Sequence, residues 1–149
     1  MKTNGLSLSC HAAGRTVLLL EHEESVRSTV RHGLELEGYR VLEAVRPDEA
    51  AGLAAHDSGS VDVFLTEIAM PGASGPEVAE RIRAFRPSVR VLYMSEYTER
   101  RIEAEERTEL AANLLQKPFT IESLVQKVEE VLAATGSPKK IPSTEPSFD

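Results

Sequence analysis

The feature that most constrains the fold of this chain is a regular alternation of short apolar runs with helical patterns. Residues 17–20 are an unbroken run of Val and Leu, which suits a strand buried on both faces. Further strands are predicted over residues 39–45, 61–66, 89–94 and 113–116. A helical pattern follows each strand. Such alternation indicates an α/β domain with a parallel sheet, helices on both faces and right-handed crossovers.

The predicted helices are marked by apolar residues three or four positions apart and by residues typical of helix ends. The inner faces of the first and third helices are expected to contain Val26, Val30, Leu34 and Leu36, and Val78, Ile82 and Phe85, respectively. Gly38 follows the first helix, Pro47 opens the second, and Thr120 precedes the last. A fourth helix is predicted over 99–110, although few of its residues are apolar.

The alternation covers residues 16–134, which is about the size of one domain. We expect a flexible leader over 1–15 and a disordered tail or linker remnant over 135–149, which is rich in Pro and Ser. The single cysteine, Cys10, cannot form an internal disulfide. No apolar run approaches the roughly 20 residues of a membrane helix, and no signal peptide is recognised. These features predict a cytoplasmic protein without membrane contact.

The charge of the chain bears on one class of partner. Its formal net charge is −7, and no cluster of Lys and Arg offsets it. Because nucleic-acid phosphates repel an acidic surface, we do not expect nucleic-acid binding.

Polar residues follow the predicted strands at the edge where a functional crevice is expected. In an open parallel sheet this crevice lies beyond the carboxyl ends of the strands, where the strand order reverses. These ends carry Glu21, His22 and Glu23 after the first strand, Glu67 after the third, Ser95 after the fourth and Lys117 after the fifth. Carboxylates, a hydroxyl and an ammonium group are therefore expected to converge on one pocket.

Four runs that contain these residues carry a family resemblance. They are VLLLEHEESVR from Val17, FLTEIAMPG from Phe64, VLYMS from Val91 and QKPF from Gln116. Together they resemble the receiver domain of two-component response regulators, and most of all the receivers attached to hybrid sensor kinases. The resemblance covers nearly all of residues 16–134. It implies a flavodoxin-like, doubly wound (βα)5 fold with five parallel strands in the order 2-1-3-4-5.

The resemblance also implies roles for the pocket residues. In the family, an aspartate at the end of the third strand accepts a phosphoryl group from a kinase histidine. Two acids after the first strand hold Mg²⁺ together with a backbone carbonyl, which is that of Ala69 here. A Ser or Thr and a Lys contact the phosphoryl oxygens, and Ser95 and Lys117 match that pattern.

Two pocket positions, Glu67 and His22, depart from the family pattern. The phosphoacceptor position holds Glu67, and the acid pair reads Glu21-His22. Because imidazole suits Zn²⁺, Cu²⁺ or Ni²⁺ better than Mg²⁺, we expect no resident cofactor, and at most weak Mg²⁺ binding through Glu67 and the Ala69 carbonyl. The extra methylene of Glu67 displaces its carboxylate by about 1.5 Å. A misplacement of about 1 Å can cost on the order of a hundredfold in rate.

The departures favour a non-enzymatic, phosphorylation-independent receiver that binds a sensor kinase or a downstream effector. The expected contact face consists of the helix over 99–110, the fifth strand and the last helix. Leu114 stands where the family usually has an aromatic switch residue, so that readout is expected to be blunted. Glu67 is interpreted in two ways. It either pairs with Lys117 at about 2.7–2.9 Å, accepts a bond from Ser95 and sustains an active-like state, or it is a relic in a scaffold.

Other functions stay open at this point. One alternative is a receiver still phosphorylated by a histidine kinase, on Glu67 or elsewhere. Another is a transition-metal site built from Glu21, His22, Glu23 and Glu67. Against it, side chains alternate along a strand, so three adjacent residues cannot all face one pocket. A flavin or nucleotide site is disfavoured because no glycine-rich phosphate loop follows the first strand.

Overall fold

The computed structural model describes residues 14–96 and 113–134 of the 149-residue chain. The helix predicted over 99–110 and the tail predicted over 135–149 lie outside the described residues. The predicted leader over 1–15 also lies outside them, except for its last two positions.

Five parallel strands form one sheet in the order β2-β1-β3-β4-β5, which confirms the order implied by the family resemblance. The strands are β1 (Thr16–Leu20), β2 (Arg40–Ala44), β3 (Val63–Glu67), β4 (Arg90–Ser95) and β5 (Leu114–Gln116). All residues of β1 and β3 are buried, as expected for central strands covered on both faces.

Four helices are described: α1 (Glu24–Leu36), α2 (Pro47–His56), α3 (Gly75–Phe85) and the last helix, which we number α4 (Ile121–Ala133). The predicted end signals are confirmed. Gly38 follows α1 with a φ of 104°, Pro47 lies in the first turn of α2, and the Thr120 side chain accepts a hydrogen bond from the backbone of Ser123. Among the described residues, no helix has the length and apolarity needed to cross a bilayer.

The sheet is covered by a separate apolar core on each face. Alternate residues of the central strands face opposite sides, so Val17 and Leu19 pack with α1 and α4, whereas Leu18 and Leu20 pack with α2 and α3. These two cores hold the strands in register, and the register determines which side chains meet at the carboxyl edge of the sheet.

Two residues predicted to face the core are exposed instead. Leu36 is 67% exposed and Phe85 is 56% exposed. Leu36 ends α1 two positions beyond the buried Leu34, which places it on the other side of the helix. Phe85 is the last residue of α3, and it lines a surface groove between α2 and α3. It is exposed because the face of α3 that packs against the sheet ends at Ile82.

Candidate functional site

The pocket at the carboxyl edge of the sheet is set by strand register. Leu20 of β1 pairs with Thr66 of β3, so the next residues, Glu21 and Glu67, leave their strands at the same level. On the other side, the backbone N–H of Lys117 donates to the Ser95 carbonyl at 2.8 Å, which brings the residue after β5 to the end of β4. The sheet therefore brings together the polar residues that the sequence placed at strand ends.

His22 binds Glu67 through both its ring and its backbone. The Nδ1 atom of His22 lies 2.6 Å from Oε2 of Glu67, and the His22 backbone N–H donates to the same oxygen at 3.2 Å. The Glu67 side chain is 10% exposed, whereas the His22 side chain is 50% exposed. The sequence prediction had placed both residues in the pocket but had missed this pair.

Lys117 makes its hydrogen bond to Glu21 and not to Glu67. Its Nζ atom donates to Oε1 of Glu21 at 3.1 Å and lies 3.6 Å from Oε1 of Glu67. The bond of about 2.7–2.9 Å predicted between Glu67 and Lys117 was therefore wrong, although the two form an ion pair. The physical reason is that the Glu21 side chain is fully buried, and a buried carboxylate is costly without a charged partner.

Lys117 and His22 each face both carboxylates, on opposite sides of the pair. Both Oε1 atoms face Lys117, at 3.1 and 3.6 Å from Nζ. Both Oε2 atoms face His22, at 3.8 Å for Glu21 and 2.6 Å for Glu67. The backbone N–H of Glu23 also donates to Oε2 of Glu21 at 3.1 Å. We call Glu21, His22, Glu67 and Lys117 the charged network.

Contacts within the charged network shift the pKa values of its members. The hydrogen bond and the charge of Glu67 raise the pKa of His22. Burial raises the pKa of Glu21, despite the opposing contacts with Glu23 and Lys117. Burial alone would raise the pKa of Glu67, but the His22 hydrogen bonds and the Lys117 charge outweigh it, and the pKa is lowered. Glu67 is thus held as a carboxylate beside a histidine that favours its protonated form.

A cleft of about 330 Å³ opens beside the charged network. Its lining residues are His22, Glu23, Glu67, Ile68, Ala69, Met94, Ser95, Glu96 and Lys117. It thus includes Ser95 and Ala69, as predicted for the pocket. Leu114, the first residue of β5, is half-buried and packs against the core on the α2 and α3 face of the sheet. It pairs with Tyr93 of the neighbouring strand β4.

Gly75, the first residue of α3, lies directly beneath the backbone of Glu67. Its N–H donates to the Ile68 carbonyl at 2.7 Å, and a Cβ at this position would overlap the carbonyl oxygen of Glu67. No role in positioning Glu67 was predicted for Gly75 from the sequence. Its closeness to the end of β3 makes it a determinant of where Glu67 lies.

We therefore expect Gly75→Ala to lower the free energy of unfolding by about 1–3 kcal/mol, the usual cost of an overpacked site. Gly52→Ala in α2 is the matched control, because a Cβ there meets nothing within 4 Å. That change should stabilise the protein by about 0.5–1 kcal/mol through helix propensity. Urea unfolding of both variants measures the effects, and equal values for the two would show that Gly75 does not constrain β3.

The family of the chain follows from this fold and from a family model. A model described as the response regulator receiver domain matches residues 17–129. The chain belongs to the response regulator receiver domains. It is therefore a receiver of two-component signalling, a class of domain that interacts with kinases and effectors.

Individual relatives agree with this family. The chain is 31% identical over 117 residues to the sensor kinase CckA of Brucella abortus, a match that covers 78% of this chain and 12% of the relative. It is 32% identical over 117 residues to a cyclic di-GMP phosphodiesterase of Thermotoga maritima, covering 78% of this chain and 31% of the relative. The chain thus spans less than a third of these curated relatives.

A solved receiver domain from the hybrid histidine kinase CckA has the same fold. It superimposes with a TM-score of 0.66 at 30% identity, and the match covers 78% of this chain and 98% of that domain. The sequence resemblance to receivers of hybrid sensor kinases is thereby confirmed.

The pocket of this receiver does not fit the Mg²⁺ ion that its family implies. Mg²⁺ prefers an octahedral set of oxygen ligands at about 2.0–2.1 Å. Here an imidazole nitrogen, Nδ1 of His22, occupies the side of the pocket that faces both Oε2 atoms. Lys117 already faces both Oε1 atoms. The donor set is a mixture of nitrogen and oxygen, and it does not match the preference of a hard ion.

Proposed function

We propose that this receiver acts without phosphorylation, by binding a protein partner and not by catalytic turnover. In this proposal Glu67 stands at the phosphoacceptor position, and the partner is a sensor kinase or a downstream effector in the cytoplasm. The contact face comprises β5, α4 and the helix predicted over 99–110, which lies outside the described residues. The net charge of −7 supports a protein partner over a nucleic acid.

The observation that carries the proposal is that both oxygens of Glu67 are already engaged, one by His22 and the other by the Lys117 ammonium. Oε2 accepts two hydrogen bonds from His22, and Oε1 lies 3.6 Å from the Lys117 ammonium. A carboxylate that attacks phosphorus needs a free, basic oxygen in line with the leaving group. Because these contacts also lower the pKa of Glu67, its oxygens are less basic than those of an ordinary glutamate.

The groups that would stabilise an incoming phosphoryl group are also engaged. Lys117 donates to the fully buried Glu21, so a phosphoryl group would have to compete with that carboxylate for the ammonium. The poor fit to Mg²⁺ removes the ion that neutralises developing charge in phosphoryl transfer. Both features act against the same step and support a pocket that is maintained without a phosphoryl donor.

The test is to incubate the full chain with acetyl phosphate and Mg²⁺ and to measure its intact mass. We expect the mass to stay unchanged, while an aspartate-bearing receiver treated in parallel gains one phosphoryl group. Incorporation of phosphate into the unmodified chain, on Glu67 or on another residue, would support the alternative of a receiver still phosphorylated by a histidine kinase.

A further inference from the structure

The charged network brings three metal-binding groups together from two strand ends. One oxygen each of Glu21 and Glu67 and a ring nitrogen of His22 all lie within 4.8 Å of one another. Adjacent Glu21 and His22 can both face Glu67 because β1 ends at Leu20, beyond which side chains no longer alternate. The sequence argument against a metal site therefore fails for these two residues.

The arrangement leaves one side of the network suited to a cation. Lys117 contacts the two Oε1 atoms, whereas Nδ1 of His22 and the two Oε2 atoms form a separate group. A metal ion bound among the latter three atoms would replace the Nδ1 proton of His22, which is released to solvent, and would leave both Lys117 contacts in place. Glu23 contributes its backbone N–H to Oε2 of Glu21, which helps to orient that carboxylate.

The distances suit a small tetrahedral ion after a modest movement. With bonds of about 2.0–2.2 Å, the ligand atoms of a tetrahedral Zn²⁺ site lie about 3.3–3.5 Å apart. Nδ1 of His22 lies 2.6 Å from Oε2 of Glu67 and 3.8 Å from Oε2 of Glu21. To reach the Zn²⁺ geometry, the first distance must lengthen and the second must shorten, each by about 0.3–0.9 Å. The His22 side chain is half-exposed, so its ring can shift toward solvent, and the adjoining cleft of about 330 Å³ has room for a solvent ligand.

From this geometry we infer that Glu21, His22 and Glu67 form a site for a first-row transition-metal ion such as Zn²⁺, and that the site selects against Mg²⁺. One imidazole and two carboxylates are a donor set that such ions accept, whereas Mg²⁺ favours oxygen ligands alone. The inference does not rest on the proposed function, because metal selection and phosphorylation are measured separately.

The experiment is isothermal titration of the full chain with ZnCl₂ and, separately, with MgCl₂. The parent carries Cys10→Ser and His11→Gln, which remove the thiol and another imidazole of the chain. We expect one Zn²⁺ per chain, bound at least about tenfold more tightly than Mg²⁺. His22→Gln should weaken Zn²⁺ binding by at least about tenfold, because loss of even an outer-shell partner of a metal site typically costs about 10–100-fold in affinity.

Matched controls are His32→Gln and His56→Gln, which remove exposed histidines outside the pocket. These variants should bind Zn²⁺ like the parent. His22→Asp should reduce the selectivity, so that Mg²⁺ binding strengthens while Zn²⁺ binding weakens. A readout independent of variant folding is the ring ¹⁵N resonance of His22 in the parent, which should shift on Zn²⁺ addition.

The inference is overturned by any of three results. These are a preference for Zn²⁺ over Mg²⁺ below about tenfold, Zn²⁺ binding that survives His22→Gln, or an unchanged His22 ring resonance at saturating Zn²⁺. Phosphate incorporation by the unmodified chain would refute the proposed function and leave the metal inference standing.

Discussion

Replacing Glu67 and His22 together by aspartate should convert this receiver into one that accepts phosphate. Glu67→Asp shortens the side chain and restores in-line placement, which is worth on the order of a hundredfold in rate. His22→Asp removes the imidazole that contacts Oε2 and supplies an oxygen ligand for Mg²⁺. With acetyl phosphate and Mg²⁺, the intact mass of the double variant should increase by one phosphoryl group.

The single variants separate the two contributions. Glu67→Asp alone should incorporate less phosphate than the double variant, because His22 still occupies the side of the pocket that faces both Oε2 atoms. Glu67→Asn combined with His22→Asp is the negative control, since it lacks a nucleophilic carboxylate. If the double variant stays unmodified while folded, these two residues are not what blocks phosphorylation.

Lys117→Met should be the most destabilising substitution in the charged network. It leaves Glu21, whose side chain is fully buried, next to the Glu67 carboxylate without the ammonium group that both carboxylates face. Removal of one partner from a buried ion pair typically costs about 3–5 kcal/mol. We expect a loss of this size in the free energy of unfolding, measured by urea denaturation at neutral pH.

A double-mutant cycle shows whether the loss comes from the pair with Glu21. Glu21→Gln combined with Lys117→Met should cost less than the sum of the single changes, because neither charge is then left unpaired. Lys127→Met in α4 is the matched control, since Lys127 is partly exposed and pairs with Glu130 at 3.5 Å. It should change stability by no more than about 1 kcal/mol. An equal loss for both lysine variants would contradict a special role for Lys117.

The fold could be predicted closely because its signals are local and repeated. Each central strand is a short apolar run, and Gly38, Pro47 and Thr120 mark helix ends through backbone effects that act within a few residues. The errors fell on Leu36 and Phe85, which fit an apolar stripe but end their helices. A periodic pattern does not indicate where packing against the sheet stops.

The residues of the candidate site could be predicted, but their pairing could not. Strand ends identified Glu21, Glu67 and Lys117, because parallel strands finish at one edge of the sheet. The sequence does not indicate that Lys117 binds Glu21, since this choice depends on differences in side-chain reach of about half an ångström, 3.1 against 3.6 Å. The His22 contact was missed because it requires the alternation of side chains to stop at Leu20.

The burial of Glu21, Glu67 and Lys117 makes their ion pairs differ from two surface ion pairs of the domain in their response to salt. Arg40 and Asp57, at 2.6 Å, and Arg46 and Asp48, at 3.3 Å, lie at the surface, where dissolved ions screen charges over about 8 Å at physiological ionic strength. Glu21, Glu67 and Lys117 are each at most 11% exposed, so dissolved salt screens their mutual attraction less. Added salt is therefore expected to weaken the two surface pairs more than the pairs that Lys117 makes in the pocket.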